Sequence, residues 1–213
     1  MAGLAEIKQN ERETRRRLIL AAAQKLFAEK DFRSVTVREI AKAAEVSIGT
    51  IYNYYASLDE LFFDVFVEGT EEITELLEKE KRKNQPCSLA RLCEVYIGYL
   101  NENMTFYQMM GHFMLGGKLS AEGTEKLNLV MRGLMDRVQA IVVAAGVKGE
   151  TRLVAHALFS ALNGIMISYA QYPGRSRDEV RRHTQRLARI IAGCFEQKIT
   201  KASVVSRKYH ADP

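Results

Sequence analysis

A short polar segment, residues 47–54, has the side chains needed to hydrogen-bond with nucleic-acid bases and phosphates. Hydroxyl and amide groups dominate it, and no residue in it is charged. Tyrosine and threonine hydroxyls can reach phosphates, an asparagine can read adenine, and a threonine methyl can pack on thymine. A surface of this kind suits a DNA groove better than bulk water. The candidate contact residues are Ser47, Gly49, Thr50, Tyr52, Asn53 and Tyr54.

Two arginines outside this segment are further candidates for DNA contact. Arg38 lies one residue into the preceding predicted helix, where it can reach a phosphate or a base edge. Arg15, Arg16 and Arg17 point in directions about 100° apart on a helix, so they cannot all reach one phosphate. We predict that Arg17 approaches the DNA backbone. The alternative for each is an ordinary solvated helix arginine.

Helix-capping signals on both sides indicate how residues 47–54 are positioned. Thr36 and Glu39 form a capping box, which predicts a helix over 37–44. Ser47 is a favourable cap for a second short helix, 48–54, and a third capping signal at Ser57 precedes a long helix. This arrangement is typical of a helix-turn-helix that enters the major groove. Short amphipathic helices joined by a turn also occur in other helical domains, so spacing alone leaves that alternative open.

Residues 14–61 resemble the N-terminal domain of the TetR/AcrR family of bacterial transcriptional regulators. The matching pieces are ILAAAQKLFAEKDF, TVREIAKAA, VSIGTIYNYYAS and DEL. The resemblance implies a three-helix DNA-binding domain, a homodimer on a two-fold operator, and a helical domain that binds a ligand. The rest of the chain resembles the family only in its length and its helical pattern.

Four positions depart from the usual family pattern. Asp31 and Glu45 stand where glycine is common, so either could need a left-handed backbone, which Asp tolerates better than Glu. Ile48 and Leu58 stand where lysine is frequent, and the absence of lysine at 58 removes an expected phosphate contact. These departures concern DNA affinity and operator choice rather than the fold.

Composition and periodicity predict an all-α chain. Of its 213 residues 47% are hydrophobic, three are prolines, and no segment shows strand-like alternation. We predict a helix-turn-helix domain over 1–57, a helical ligand-binding and dimerisation domain over 58–199, and a disordered tail over 200–213. The nine predicted helices span 12–30, 37–44, 48–54, 58–83, 88–103, 105–116, 120–145, 150–171 and 176–199.

The distribution of charge indicates local rather than general nucleic-acid binding. The net charge is +5, but acidic residues are concentrated in the helix that follows residue 57. A protein that coats nucleic acid would be basic throughout. The modest positive charge near the N-terminus therefore favours groove-directed contact.

Several other classes are disfavoured by missing motifs. The polar N-terminal segment is not an export signal, and no apolar run is long enough to span a bilayer. Three cysteines without close pairing fit a reducing cytoplasm. Metal-ligand spacing, a glycine-rich phosphate loop and a Ser/His/Asp set are missing as well. We therefore expect a cytoplasmic protein that is not an enzyme and that has no metal, cofactor or membrane partner.

The last two predicted helices have wide apolar faces, broader than one monomer needs. Small residues among them allow close helix approach, and a two-fold operator requires a two-fold protein. We predict that these helices form a four-helix bundle with a second copy, although an ordinary core is the alternative. The predicted interface residues are Leu158, Ala161, Leu162, Ile165, Leu187 and Ile191.

A methionine- and aromatic-rich stretch lies between the two ends of the chain. Methionine fills irregular space and adapts to apolar ligands, although such a stretch is often a filled core. We predict a pocket for a small, largely apolar effector. The predicted lining residues are Tyr99, Phe106, Met110, His112, Phe113, Met131 and Met135.

These features together favour a ligand-responsive regulator, most simply a repressor, which binds a double-stranded DNA operator as a homodimer. Two other classes stay open. One is an architectural protein that binds DNA without sequence preference. The other is a helical carrier or enzyme that has kept a helix-turn-helix.

Overall fold

The computed structural model describes residues 3–83 and 88–208. Every regular element within them is helical, which confirms the predicted all-α fold. Nine α-helices and one short 3-10 helix (Phe32–Ser34) follow one another along this part of the chain. The α-helices are α1 (Leu4–Glu29), α2 (Val37–Ala43), α3 (Ile48–Tyr52), α4 (Leu58–Lys83), α5 (Leu89–Glu102), α6 (Met104–Met114), α7 (Ala121–Ala144), α8 (Thr151–Tyr169) and α9 (Arg177–Lys208).

The predicted helix bounds agree best with the structure where capping residues define them, and they agree least at polar helix ends. α4 spans the predicted residues, whereas α1 begins at Leu4 rather than at 12. α9 continues to Lys208, so residues 200–208 are helical rather than part of a disordered tail. Periodic apolar residues fade at these ends, but no proline or glycine stops either helix there. Residues 209–213 of that tail, and the predicted break at Gln85 and Pro86, lie outside the described residues.

The chain divides into two compact units. Unit 1 consists of Met1–Gly69 and Met104–Leu127, and unit 2 consists of Thr70–Asn103 and Asn128–Pro213. The first part of α4 thus belongs to unit 1 and its remainder to unit 2. The domain boundary predicted at residue 57, in contrast, would assign all of α4 to the second domain.

An aromatic cluster explains why the start of α4 belongs to unit 1. The Phe62 ring meets the rings of Phe27 and Phe32 edge-on, each at 5.3 Å between centroids. Phe66 of α4 stacks on Phe106 of α6, also at 5.3 Å. Such pairs contribute about 0.5–1.5 kcal/mol beyond the area that they bury. These rings fix α4 against α1 and α6 within unit 1.

An ion pair also joins α1 to α4 within unit 1. Arg16 donates to the Asp64 carboxylate from Nη2 at 2.7 Å and from Nε at 3.1 Å. The side chain of Tyr55 is buried nearby, and this burial raises the pKa of its hydroxyl, with the negative charge of Asp64 adding to the shift. The pair thus lies near a buried side chain just beyond α3.

Unit 2 has its core where α5, α8 and α9 meet. Ala188 and Ala192 are fully buried on α9, which allows the helix to approach closely. Asn101 of α5 donates from Nδ2 to the hydroxyl of buried Thr184 on α9 at 3.0 Å. Asn163 of α8 lies 3.3 Å from the hydroxyl of Tyr96 on α5. A few satisfied polar pairs thus fix the register of an otherwise apolar packing.

Glu45, in the turn between α2 and α3, has a left-handed backbone with φ of 54°. Asp31, the other position where the family commonly has glycine, has φ of −53°. The left-handed turn is needed because the Val46 N–H reaches back to the Ala41 carbonyl at 2.9 Å. A non-glycine residue in this conformation costs about 1–2 kcal/mol. Glu45 therefore strains the turn between the two helices.

Replacing Glu45 with glycine should stabilise the protein by about 0.5–1 kcal/mol, because glycine relieves the strain but loses more entropy on folding. Urea unfolding followed by circular dichroism measures the change. Glu45→Ala is the control, since alanine keeps the β-carbon and should bring no such gain. Equal stability of the glycine and alanine variants would mean that the turn is unstrained.

Gly69 allows α4 and α6 to pack closely. A β-carbon at this position would lie 2.5 Å from Cδ2 of Phe106, well inside contact distance. We expect Gly69→Ala to cost about 1–3 kcal/mol through overpacking. Gly111→Ala, also in a helix of unit 1, is the control because its added carbon meets nothing within 4 Å. Thermal unfolding compares them, and similar midpoints for the two variants would contradict this account of the packing.

Candidate DNA-binding site

The first helix of the motif, α2, begins at a complete capping box. Thr36 accepts from the Glu39 N–H, and the Glu39 carboxylate accepts from the Thr36 N–H at 2.9 Å. Lys30, just after α1, donates to the same carboxylate at 2.6 Å. The hydrogen bond from Lys30, followed by those from Thr36, lowers the pKa of Glu39 to about 2. The carboxylate thus fixes the start of α2 to the end of α1.

The second helix, α3, is only five residues long and is capped by Ser47. The Thr50 N–H donates to Ser47 Oγ at 3.0 Å, and the two hydroxyl oxygens lie 2.8 Å apart. α3 ends at Tyr52, two residues before the predicted end, because the Asn53 N–H closes the last turn on Gly49 and Thr50. The hydroxyls of Ser47 and Thr50 therefore serve first to hold the helix together.

The segment that contains α3 has one buried side and one exposed side. Ile51 and Tyr55 are buried, whereas Tyr52 is 54% exposed and Asn53 and Gly49 are also exposed. A β-carbon at Gly49 would meet only Ser47 Oγ, at an ordinary 3.7 Å. Packing within the chain therefore does not require glycine at this position, which leaves close approach by another molecule as a reason for it.

The predicted arginines differ in their surroundings. Arg38 is exposed, and none of the described side chains forms an ion pair with it. Arg17 is also exposed, with its Nε 3.4 Å from a carboxylate oxygen of Glu13. The guanidinium of Arg12 lies 5.7 Å from the centroid of the Tyr54 ring. Sequence reasoning missed Arg12, because a contact between residues so far apart leaves no trace in helical spacing.

The seven predicted ligand residues fall into two groups. Phe106, Met110, His112 and Phe113 lie in unit 1, and Tyr99, Met131 and Met135 lie in unit 2. Phe106 and Phe113 pack in the aromatic cluster, and His112 Nε2 is 3.1 Å from an Asp59 carboxylate oxygen. The Tyr99 hydroxyl donates to Glu72 at 3.0 Å. A ligand role for these seven residues stays a prediction.

Unit 2 contains a small apolar cavity of about 30 Å³. None of the seven predicted residues lines it, because its walls come from residues whose helical spacing resembles ordinary core. It is lined by Leu77, Leu89, Leu92, Cys93, Tyr96, Val138, Ile141, Leu158, Phe159 and Leu162. A ligand of more than a few atoms would have to move some of these side chains.

The predicted dimer residues of α8 are mostly buried inside unit 2. Leu158, Leu162 and Ile165 are buried within the chain itself, and two of them line the cavity. This corrects the predicted dimer face of α8. Both sides of the helix are apolar, so helical spacing could not show which side packs into the core of unit 2. Ala161, Leu187 and Ile191 are partly exposed. The exposed large apolar residues on these two helices are Leu153, Ile167 and Ile190.

Comparison with known proteins places the helix-turn-helix in a family. Residues 19–65 match the profile of the family described as bacterial regulatory proteins, tetR family. The match covers the helix-turn-helix and the residues on either side of it. The chain is 43% identical over 51 residues to the HTH-type transcriptional regulator HbdR of Aromatoleum sp. (strain CIB), a match covering 24% of this chain and 22% of HbdR. The chain therefore matches much less than two thirds of that relative's length.

Solved structures of transcriptional regulators share the fold along most of the chain. A transcriptional regulator from Rhodococcus sp. Rha1 aligns with a TM-score of 0.68 at 20% identity, covering 86% of this chain and 96% of that one. The regulator FadR from Bacillus subtilis, crystallised with stearoyl-CoA, aligns with a TM-score of 0.64 at 18% identity, covering 82% and 96%. At such low sequence identity, the structural similarity shows a shared fold and no more.

Two negative observations apply to the described part of the chain. Over residues 3–83 and 88–208, no helix is both long and apolar enough to cross a membrane. In the same residues, His, Cys, Asp and Glu side chains form no group of three that could hold a metal ion.

Proposed function

We propose that this chain is a transcriptional repressor that binds a two-fold operator in double-stranded DNA as a homodimer, and that a small apolar effector releases it. The observation that carries the proposal is the exposed polar face of α3, held on a buried core within a capped helix-turn-helix. A helix presented in this way fits the major groove.

The exposed residues of α3 have distinct roles in this proposal. Tyr52 and Asn53 extend from the end of the helix and supply hydrogen bonds to phosphates or base edges. Since the Thr50 hydroxyl is bonded to Ser47, its methyl group is the part best suited to contact thymine. Arg38 and Arg17 supply charge for the phosphate backbone. Ser47 acts mainly as the cap of the helix.

Replacing Tyr52 with alanine should weaken operator binding by about 1–3 kcal/mol and leave thermal stability nearly unchanged, because the side chain is exposed. Arg38→Ala should weaken binding and reduce the slope of affinity against salt by about one. Fluorescence anisotropy with the promoter DNA beside the gene measures both. Tyr172→Ala, an equally exposed tyrosine in unit 2, is the control.

The same titrations separate this proposal from its alternatives. A repressor prefers its operator over random DNA at equal salt, whereas an architectural protein binds both alike. A carrier or enzyme with a vestigial motif binds neither. Wild-type operator affinity in both the Tyr52 and the Arg38 variants would reject α3 as the recognition helix.

Dimerisation through α8 and α9 is supported by the exposed apolar side chains on these helices. Leu153 is 63% exposed and Ile167 is 79% exposed on one stripe of α8, and Ile190 of α9 is 54% exposed. Gly164, on the same stripe, and Gly193 of α9 would each accept a β-carbon without meeting any atom within 4 Å. The chain's own packing does not require glycine there, whereas close approach of a partner helix would.

Ile167→Glu should convert the dimer into a monomer, because the carboxylate would be buried at the interface without a partner. The residue is exposed in the single chain, so the monomer should still fold. Leu129→Glu is the control, since Leu129 is 62% exposed and belongs to α7 rather than to α8 or α9. Light scattering at micromolar concentration distinguishes them. A monomeric unmodified protein, or a dimeric Ile167 variant, would contradict the proposed interface.

The cavity in unit 2 supports control by an apolar effector. Leu77 of α4 lines it, and α4 continues into unit 1. A ligand that displaces Leu77 therefore acts on a helix shared with the DNA-binding unit, and stearoyl-CoA in the Bacillus subtilis structure of the same fold has a long apolar chain. Release requires tighter binding to the state that does not fit DNA. A coupling of about 1–3 kcal/mol would lower operator affinity about five- to 150-fold.

A further inference from the structure

A charged, open groove with a volume of about 630 Å³ lies along α4 and α7 within unit 2. Four cationic and two acidic side chains line it, so its charge is positive on balance. The lining residues are Thr74, Glu75, Glu78, Lys79, Arg82 and Lys83 of α4, with Arg137 of α7.

The cations of this groove have no acidic partner among the described side chains. Lys79, Arg82, Lys83 and Arg137 form no ion pair there, whereas the Glu78 carboxylate lies 3.5 Å from Lys81 outside the groove. Like charges brought together in this way repel one another, and an anion between them would relieve the repulsion. The groove is therefore suited to a negatively charged group.

Thr74 provides a second, independent indication of a polar ligand. The residue is 7% exposed, and its hydroxyl oxygen is buried without a hydrogen-bond partner. A buried hydroxyl in this condition is costly and uncommon. Thr74 lies one helical turn before Leu77, which lines the apolar cavity. Thr74, at the groove, and Leu77, at the cavity, therefore lie on the same side of α4.

An ordinary helix end explains only part of this arrangement. Basic residues in the last turn of a helix are stabilised by its dipole, which accounts for Lys81, Arg82 and Lys83. It does not account for Arg137, which comes from a different helix and lines the same groove. Nor does it account for the buried hydroxyl of Thr74.

We propose that the groove binds the anionic head group of the effector, a carboxylate or a phosphate, while the apolar part enters the cavity beside Leu77. This inference rests on the proposed control by an effector and adds its chemical class. Arg137 and Arg82 supply charge-assisted hydrogen bonds, and the Thr74 hydroxyl donates to the same anion. Binding then places one amphipathic ligand against both α4 and α7.

Calorimetry on the full chain with three matched probes tests this assignment. Dodecanoate, dodecyl phosphate and dodecanol have the same alkyl chain and differ in the head group, and each is used below its aggregation concentration. At least one of the anions should bind about tenfold or more tightly than dodecanol. The comparison of the two anions identifies the preferred head group.

Two variants then locate the anion. Arg137→Gln should remove most of the preference for the anion over dodecanol, whereas Arg132→Gln, on the same helix but outside the groove, should keep it. Thr74→Val keeps the shape of the side chain and should lower anion affinity about fivefold, with an unfolding midpoint that is unchanged or raised. If the Thr74 hydroxyl instead stabilised the fold, Thr74→Val would lower the unfolding midpoint.

The anion site is wrong if no anion binds more tightly than dodecanol, or if Arg137→Gln keeps the full preference. Operator release, measured with the same probes, distinguishes a failure of the anion site from a failure of the proposed repressor function. Release by dodecanol as effective as by the anions leaves effector control intact and removes the anion site. Anion binding with no operator affinity in the unmodified protein would retain the site and reject the repressor.

Discussion

A helix of five residues cannot hold its conformation in water, so the proposed DNA-contacting surface of α3 depends on what is buried beneath it. Ile51 and Tyr55 anchor the helix from inside, and Ser47 closes its first turn. Tyr55 in turn lies beside the Arg16–Asp64 pair that joins α1 to α4. The exposed groups of Tyr52 and Asn53 are thus positioned by contacts that reach across the whole of unit 1.

α4 belongs to both units and carries residues of the aromatic cluster, the apolar cavity and the charged groove. Its first half supplies Phe62, Phe63 and Phe66 to the aromatic cluster that supports the helix-turn-helix. Its second half carries Leu77 at the apolar cavity and Thr74 at the charged groove. A ligand held by the second half, as we propose, would therefore act on a helix whose first half belongs to unit 1, and Gly69 lies between the two halves.

Local chemistry explains which features could be predicted from the sequence. The caps at Thr36 and Ser47 and the start of α4 follow from side chains that bond to backbone groups within four residues. The inward and outward faces of α3 follow from helical spacing in the same way. The family pattern indicates a left-handed backbone at either Asp31 or Glu45. The structure has it at Glu45, where the Val46 N–H donates to the Ala41 carbonyl.

Long-range packing explains what could not be predicted. α8 is apolar on two sides, so spacing alone did not reveal that Leu158 and Leu162 face the core while Leu153 and Ile167 face outward. Spacing within α6 likewise gives no sign that Phe106 stacks on a ring forty residues earlier in the chain. The charged groove depends on the approach of α4 to α7, and the cavity depends on α5 and α8 as well. Such packing leaves no pattern in any one helix.

A DNase I footprint on the promoter region beside the gene tests the central claim most directly, because it reports both sequence preference and symmetry. A dimeric repressor should protect two half-sites related by a two-fold axis, with centres about 10–10.5 base pairs apart or a multiple of this distance. Protection should disappear in the Tyr52→Ala variant at the same protein concentration. Protection of one half-site alone, or uniform protection without a preferred sequence, would contradict the account.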